Sequence, residues 1–593
     1  MSGVVAEITG LMRMDEDSKA SLIVSKYDSH YDQLSKKHAE WRELRNYVFA
    51  TDTKTTSNAK LPWKNSTTLP KLCQIRDNLH ANYMSVLFPN EDWLQWEAQD
   101  KDALDLAKSK AIKTYVNNKL KHGGYRTILS KLVYDFIDYG NVIASIEYVN
   151  EQVKQEDGTY VASYVGPRIV RNSPFDIIFN PTAPSFEESY KIKRSLVSIG
   201  ELMAMAEDQP KEAHWINKAV QLVKDRRNVL SSYGDQDINK AVGYQVDGFG
   251  DYAEYLQSGY VEIHEFEGDL WVSDTNELER RRVITVVDRM HVVRNEPIPS
   301  WTGSSSYEHC GWRYRPDNLY AMGPLDNLVG MQYRIDHLEN AKADFFDLVA
   351  HPPLKIKGTV EEFEWRPFAQ IMLGEDGDIE ALQLPSTALQ ANTDIQTYMN
   401  LMEEFAGAPR QAVGARTPGE KTMFEVSTLE NNANKMFSDM LLNFEEFLER
   451  LMEKFLECAR RNLDGTDIIA VMDDDFGVTS FMSITKEDLK ANGKLRPVAA
   501  RNFQIRSQMI QNYTGLRQAV GADPAVMAHI SGKQEAKMLE SLLLLDKFEL
   551  VRDNVRTAEQ LETQRLVQAG AAQNQQQSAQ PAQETPEDMG PPA

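Results

Sequence analysis

The stretch closest to an enzyme motif is Gly414–Thr422, GARTPGEKT. A phosphate-binding loop needs G-x-x-x-x-G-K-[ST], so that the lysine after the second glycine reaches the β- and γ-phosphates. Here Glu420 fills that slot and Lys421 is displaced by one residue. No apolar strand precedes the stretch, so the context of a nucleotide site is missing too. Asp473-Asp474-Asp475 offers three carboxylates, and hard cations take oxygen ligands. Neighbouring residues of an extended segment point to opposite faces, which favours a solvated acidic turn over a metal cage. His264-Glu265 lacks the second histidine of a zinc helix, and His291, His309, His337 and His351 show no helical pairing. Cys73, Cys310 and Cys458 lie far apart and read as buried thiols rather than a disulfide frame or zinc site. Neither a nucleophile elbow nor a dinucleotide fingerprint is present. Trp93, Trp96, Trp301, Trp312 and Trp365 are scattered, as expected of packing residues rather than a base-stacking platform. No cofactor, metal or catalytic set is expected.

The elements around these residues are more informative. Gly407, Pro409, Gly414, Pro418 and Gly419 break regular structure, so the near-miss motif reads as a loop carrying Arg410, Arg416 and Lys421. A short helix over Ile395–Phe405 leads into it. The longest helical pattern of the chain, Met423–Leu463, leads out, with Met436, Met440, Phe444, Phe447, Leu451 and Phe455 among its apolar positions. Upstream, Leu325, Leu328, Met331, Ile335, Leu338, Ala341, Phe345 and Val349 recur at spacings of three and four. That is one apolar stripe, with Arg334, Asp336, Glu339, Lys342, Asp344 and Asp347 expected on a charged opposite face. Gly323-Pro324 marks the expected start, and His351-Pro352-Pro353 the end, because neither proline can donate the next helical hydrogen bond. Such a rod is roughly 40 Å long and suits packing beside copies of itself.

Three segments carry a family likeness in combination. HCGWRYRPDNLYAMGPLDNL before the rod, AHPPLKIKG after it, and EEFAGAPRQAVGARTPGEKTMFEV at Glu403–Val426 resemble the portal proteins of tailed bacteriophages, by preference of the short-tailed type. The likeness runs roughly from Leu22 to Leu550. It implies an α+β portal fold, mainly helical. An N-terminal wing would cover 1–316, a first stem helix 317–352, a small α/β clip 353–392 and a second stem helix 393–407. A tunnel loop would follow at 408–421, a long kinked helix with wing strands at 422–500 and a crown at 501–570. Composition, rich in Gln, Pro and Ala without lysine or arginine, marks 571–593 as a disordered tail. The likeness further implies a dodecameric ring at one capsid vertex, assembled in the host cytoplasm and carried in the virion. Double-stranded DNA would pass through it during packaging and ejection. Terminase large subunit would dock first, then a head-completion or tail adaptor protein, with major capsid and scaffolding proteins around. Arg410, Arg416 and Lys421 would be channel residues. Leu325, Leu328, Met331, Ile335, Leu338 and Phe345 would pack the stem.

Composition agrees with a large globular chain. Its 593 residues are 42% hydrophobic and 26% charged. With 65 basic against 88 acidic residues, the formal charge of −23 argues against a protein that grips nucleic acid by neutralising phosphates. It permits an acidic wall past which DNA slides. The N-terminus lacks a basic leader, so no signal peptide is read, and no apolar run is long enough for a membrane span.

In chain order, helices are expected over Ser18–Phe49, Lys71–Phe88, Asp102–Leu120 and Tyr125–Tyr139, with a short strand at Trp93–Glu97. The polar stretch TDTKTTSNAKLPWKNSTT reads as a loop. Strands follow at Val142–Val149, Tyr160–Val170 and Phe175–Phe179, then helices at Ile199–Ala206 and Lys211–Leu230. A polar, glycine-rich stretch precedes strands at Tyr260–Phe266, Val283–Asp288 and His291–Arg294. Leu354–Leu384 alternates apolar residues with glycines, and strands recur at Ile468–Met472 and Phe476–Met482. Helices close the folded part over Gln504–Leu516, Pro524–His529 and Gln534–Val567. Two other classes compete with a portal. One is a packaging NTPase or nuclease, disfavoured by the displaced lysine. The other is a plain capsid or scaffold component, disfavoured by the proline-closed rod and the breaker-rich loop.

Overall fold

A computed structural model describes residues 10–13, 16–88, 93–98, 106–154, 160–208, 212–229, 260–272, 277–358, 376–381, 391–406, 423–463, 465–473, 478–490, 493–497, 513, 517, 532–542 and 564–565. The chain is α+β and divides into two units, Met1–Ala499 and Ala500–Ala593.

Helices α1 (Glu16–Gln33) and α2 (Ser35–Phe49) replace the single N-terminal helix expected from periodicity, with a turn at Leu34 between them. The break lets two apolar faces serve two cores. Ala20, Ile23 and Tyr27 of α1 pack on a sheet with Ile178, Ile192, Phe266 and Ile284. Trp41 of α2 joins Tyr139, Ile143, Phe179 and Tyr307. That sheet contains β5 (Ile177–Phe179), β6 (Lys191–Ser198), β7 (Tyr260–Val272), β8 (Glu277–Val287) and β9 (His291–Pro297) in this order. Strand β1 (Gly10–Arg13) adds parallel to the end of β7. Period-two alternation gives the sheet two apolar faces. Phe266 meets α1, while Val261 and Ile263 meet Leu202 of α6 (Ile199–Asp208) and Trp215 and Ile216 of α7 (Ala213–Val229). Strand β6 escaped the sequence reading because KIKRSLVS looks charged. Its Lys191 is nevertheless buried, donating to the Glu187 carbonyl at 3.0 Å.

The main core surrounds α10 (Met423–Asn462), which matches the longest helical pattern expected. Phe444, Phe447, Leu448, Leu451, Met452 and Phe455 recur at three and four residues, and all are buried. They pack with α3 (Lys71–Leu87), α4 (Leu106–His122), α5 (Tyr125–Asp138) and a second sheet. The order in that sheet is β10 (Tyr307–Gly311), β3 (Asn141–Lys154), β4 (Tyr160–Asn172). Strand β2 (Leu94–Ala98) pairs with β17 (Gly493–Pro497), and β15 (Thr466–Asp473) with β16 (Val478–Thr485). Strands β11 (Arg313–Arg315) and β12 (Asn318–Met322) form a small hairpin.

One close backbone crossing fixes where α8 (Val329–Ala350) begins. Gly140 has φ +64, and a Cβ there would lie 2.3 Å from the Gly323 nitrogen. Only glycine lets the end of α5 pass the turn before α8. That turn continues through Leu328, so α8 starts at Val329 rather than at Gly323-Pro324; its end at Ala350, before the two prolines, is as expected. In the second unit, α11 (Gly532–Leu542) starts two residues before the helical stretch expected over Gln534–Val567 and overlaps its first part.

Candidate functional site

After α8 the chain turns through β13 (Leu354–Lys357), which pairs antiparallel with β14 (Asp378–Ala381), and returns in α9 (Ala391–Phe405). Near the tip, Lys342 Nζ of α8 donates to Asn392 Oδ1 of α9 at 3.0 Å. At the base, Lys71 of α3 pairs with Glu403 of α9, and the next backbone amide, of Leu72, donates to Gln332 Oε1 of α8 at 3.1 Å. Residue 342 therefore matches 392 and residue 332 matches 403, so the two helices run antiparallel.

The polar face of α8 is not the free charged wall expected from the sequence. Gln332, Asp336 and Asn340, four residues apart on one face, are buried beneath the segment between α2 and α3. That segment is an Ω-shaped strap closed by a hydrogen bond from Thr53 N to Ser66 O at 2.9 Å. Its backbone, lacking sheet partners, is satisfied by α8 side chains. Asn340 Oδ1 accepts from Thr67 N, and Asn340 Nδ2 donates to Thr67 O, each at 2.8 Å. Gln332 Nε2 donates to Leu69 O at 2.6 Å and to Asp336 Oδ1 at 2.9 Å. Asp336 also accepts from Leu69 N and the Thr68 hydroxyl, both at 3.0 Å. Nearer the tip, Asp344 accepts from Lys64 N at 2.8 Å and Asn65 N at 2.9 Å. The strap then climbs back, with Trp63 Nε1 donating to His337 Nδ1 at 3.0 Å and Asn58 Nδ2 to Tyr333 O at 3.3 Å.

The two carboxylates respond oppositely to this setting. Burial pushes Asp336 up to about 6, although three donors pull the other way. For Asp344 the upward effect of burial is outweighed by the Lys64 and Asn65 amides, and its pKa lies below the usual range.

The stem-packing residues divide into two groups. Leu325, Leu328 and Ile335 are buried in the chain's own core, so they are not available to a neighbour. Met331, Leu338 and Phe345 are half-buried. Beyond the strap the apolar face is uncovered: Phe346 is 52% exposed and Val349 53%, with Leu348 and Ile356 of β13 alongside. Arg410, Arg416 and Lys421 lie outside the described residues, as do Asp474, Asp475 and the tail 571–593.

Helix α10 is tied to β10 and to the loop before it. Glu308 of β10 accepts from Lys454 at 2.8 Å and Arg450 at 3.0 Å. Glu457 accepts from Ser300 Oγ at 2.8 Å and Trp301 N at 2.6 Å.

The other residues weighed in the sequence are placed as follows. Among the described residues no group of His, Cys, Asp and Glu could hold a metal ion. His264 lies in strand β7, buried beside Glu262. Cys310 and Cys458 are buried thiols, whereas Cys73 is half-exposed on α3 because it faces away from the core. Trp93, Trp96 and Trp312 pack inside, but Trp301 stands exposed on the loop before β10; Trp365 lies outside the described residues. No helix among the described residues is long and apolar enough to cross a membrane. No family model and no curated protein matches the chain.

Proposed function

We propose that this chain is the portal subunit of a tailed bacteriophage of the short-tailed type. It forms a ring of about twelve copies at one capsid vertex, through which double-stranded DNA enters and leaves. The observation that carries the reading is the α8–β13–β14–α9 excursion. It is an antiparallel helical hairpin with a small sheet at its tip, and its α8 packs beside α2 and α3. Its last turns expose Phe346, Leu348 and Val349. Large apolar side chains exposed together within one helical turn favour a cover, and neighbouring copies in a ring would supply it. The likeness of the flanking segments to portal proteins points the same way.

The chain then works by conduction rather than catalysis. A formal charge of −23 per copy gives a wall that repels phosphate and avoids sticky contacts. Arg410, Arg416 and Lys421 between α9 and α10 centre the duplex through weak, screened contacts. ATP hydrolysis belongs to the terminase that docks on the tip sheet, later replaced by a tail adaptor. The test is to assemble heads with and without this chain and count filled particles. DNA-filled heads require the chain; equal filling in its absence would overturn the assignment.

A further inference from the structure

The two flanks of the hairpin differ in charge, and their charges lie at matching heights. On α8 the strap covers the face of Gln332, Asp336, Asn340 and Asp344, while α9 covers the flank of Ile335 and Lys342. At about 100° per residue these flanks lie roughly 120° apart around the helix. The strap side carries exposed Lys60 and Lys64, and the outer face of α9 carries exposed Asp394 and Glu404. No ion pair reaches any of these four among the described residues. Asp336 and Asp344 of α8 spend their hydrogen bonds on strap backbone amides, and Lys64 acts on Asp344 only through its field, without a direct ion pair.

The heights follow from the hydrogen bonds. Lys64 is level with Asp344, which accepts from its backbone amide. Asp394 sits two residues along α9 from Asn392, which meets Lys342. Lys60 lies between Asn58, bonded to Tyr333, and Trp63, bonded to His337. Glu404 follows Glu403 at the level of Gln332. Ten residues of α9 separate the two acids by about 15 Å, and the two lysine levels on α8 differ by roughly 10–16 Å. A ring built by rotation about an axis along the hairpin keeps heights and joins unlike faces of successive copies.

We propose that, within the ring reading on which this inference rests, the strap of one copy docks on α9 of the next. Lys64 then pairs with Asp394 and Lys60 with Glu404. The pairing sets the order and direction of assembly, and it brings the uncovered apolar turns of the two copies together.

Charge reversal tests it on the full chain. The parent is first shown to form rings by native mass measurement at about 0.1 M salt; a parent that stays monomeric removes the ring reading itself, and this pairing with it. Lys60→Glu/Lys64→Glu and Asp394→Lys/Glu404→Lys each place like charges opposite one another. Each should raise the concentration needed for rings by ~10-fold or more, with circular dichroism and melting as in the parent. The fourfold swap should restore assembly to within about threefold of the parent, since complementarity returns. Half-swapped variants that form rings like the parent would overturn the pairing while leaving the ring intact. So would a folded fourfold swap that stays dissociated. A lysine variant that assembles normally but loses binding to linear duplex DNA would also overturn it, placing the lysines against a polyanion.

Discussion

Asn340 holds Thr67 by both atoms of one amide: its Oδ1 accepts from Thr67 N and its Nδ2 donates to Thr67 O, each at 2.8 Å. A side chain on a helix thus does for the strap what a neighbouring strand does in a sheet. Replacing Asn340 with Ala leaves two part-buried strap backbone groups without their protein partner, and each such hydrogen bond contributes about 0.5–1.5 kcal/mol net. Asn340→Ala should lower stability by about 1–3 kcal/mol. Urea midpoints of the parent and variant measure this. A change below 0.5 kcal/mol would mean the strap does not rest on this bond.

The crossing of Gly140 and Gly323 makes a sharper demand. An alanine at position 140 meets both the φ of +64 and a contact of 2.3 Å to backbone, which no side-chain rotation relieves. Gly140→Ala should cost at least ~2 kcal/mol, read as a lowered melting temperature. Gly330, whose Cβ would meet nothing within 4 Å, is the control. Its helical Gly330→Ala change should be neutral or stabilising by up to ~1 kcal/mol.

Much of the frame was legible because hydrophobic periodicity reports burial directly. The 40-residue α10 follows from its Phe444–Phe455 stripe, and the ends of α3, α5 and α8 from proline and glycine. The break at Leu34 was hidden, since the apolar stripe runs through it while the chain changes core. Strands β1, β6, β10, β11, β12 and β17 were missed. Lys191, Glu308, Lys494 and Arg496 read as surface charge, yet Lys191 and Glu308 are buried and Lys494 and Arg496 pair with α10. At the candidate site the sequence suggested a charged outer face on α8. The four-residue spacing of Gln332, Asp336, Asn340 and Asp344 was visible, but amides alternating with carboxylates signal a bound backbone only once a partner segment is known. The strap itself, being polar and irregular, carries no periodicity at all.

His264 gives the acid limb of stability a testable shape. Its ring is buried against Glu262, Arg194, Arg289 and Tyr27, and burial drives its pKa down to about 4 from the ordinary 6.5. Between those values the unfolded chain binds a proton that the folded chain refuses. The contribution is therefore fully present above pH 6.5 and lost as pH falls toward 4, with a slope of at most ~1.4 kcal/mol per pH unit. Asp336 works in the opposite sense, since its raised pKa of about 6 contributes below pH 3.8 and fades as pH rises through 6. Replacing His264 with Gln should flatten the curve between pH 4 and 6.5 by up to one proton. An unchanged slope in urea midpoints at pH 4.5, 5.5 and 7 would show that His264 is not the group responsible.

Phe346 and Val349 should matter to assembly and not to the fold of one chain. Both are about half exposed, so Phe346→Ser with Val349→Ser should shift single-chain stability by about 0.5 kcal/mol or less. In a ring each would lose about 1–1.5 kcal/mol of apolar burial, half the value for a fully exposed side chain. Ile335→Ser, inside the core, should instead destabilise the chain by several kcal/mol, on the scale of ~2–5. Calorimetry read beside sedimentation separates the two effects. Tip variants that assemble as well as the parent would move the subunit contact elsewhere.

The central claim is that this chain closes into a ring with a channel. The most direct test is the native mass of the purified full-length protein, with electron images of the same sample. The account predicts a single species of about a dozen chains with a central hole along its axis. A stable monomer or dimer at micromolar concentration, with no ring in the images, would contradict it.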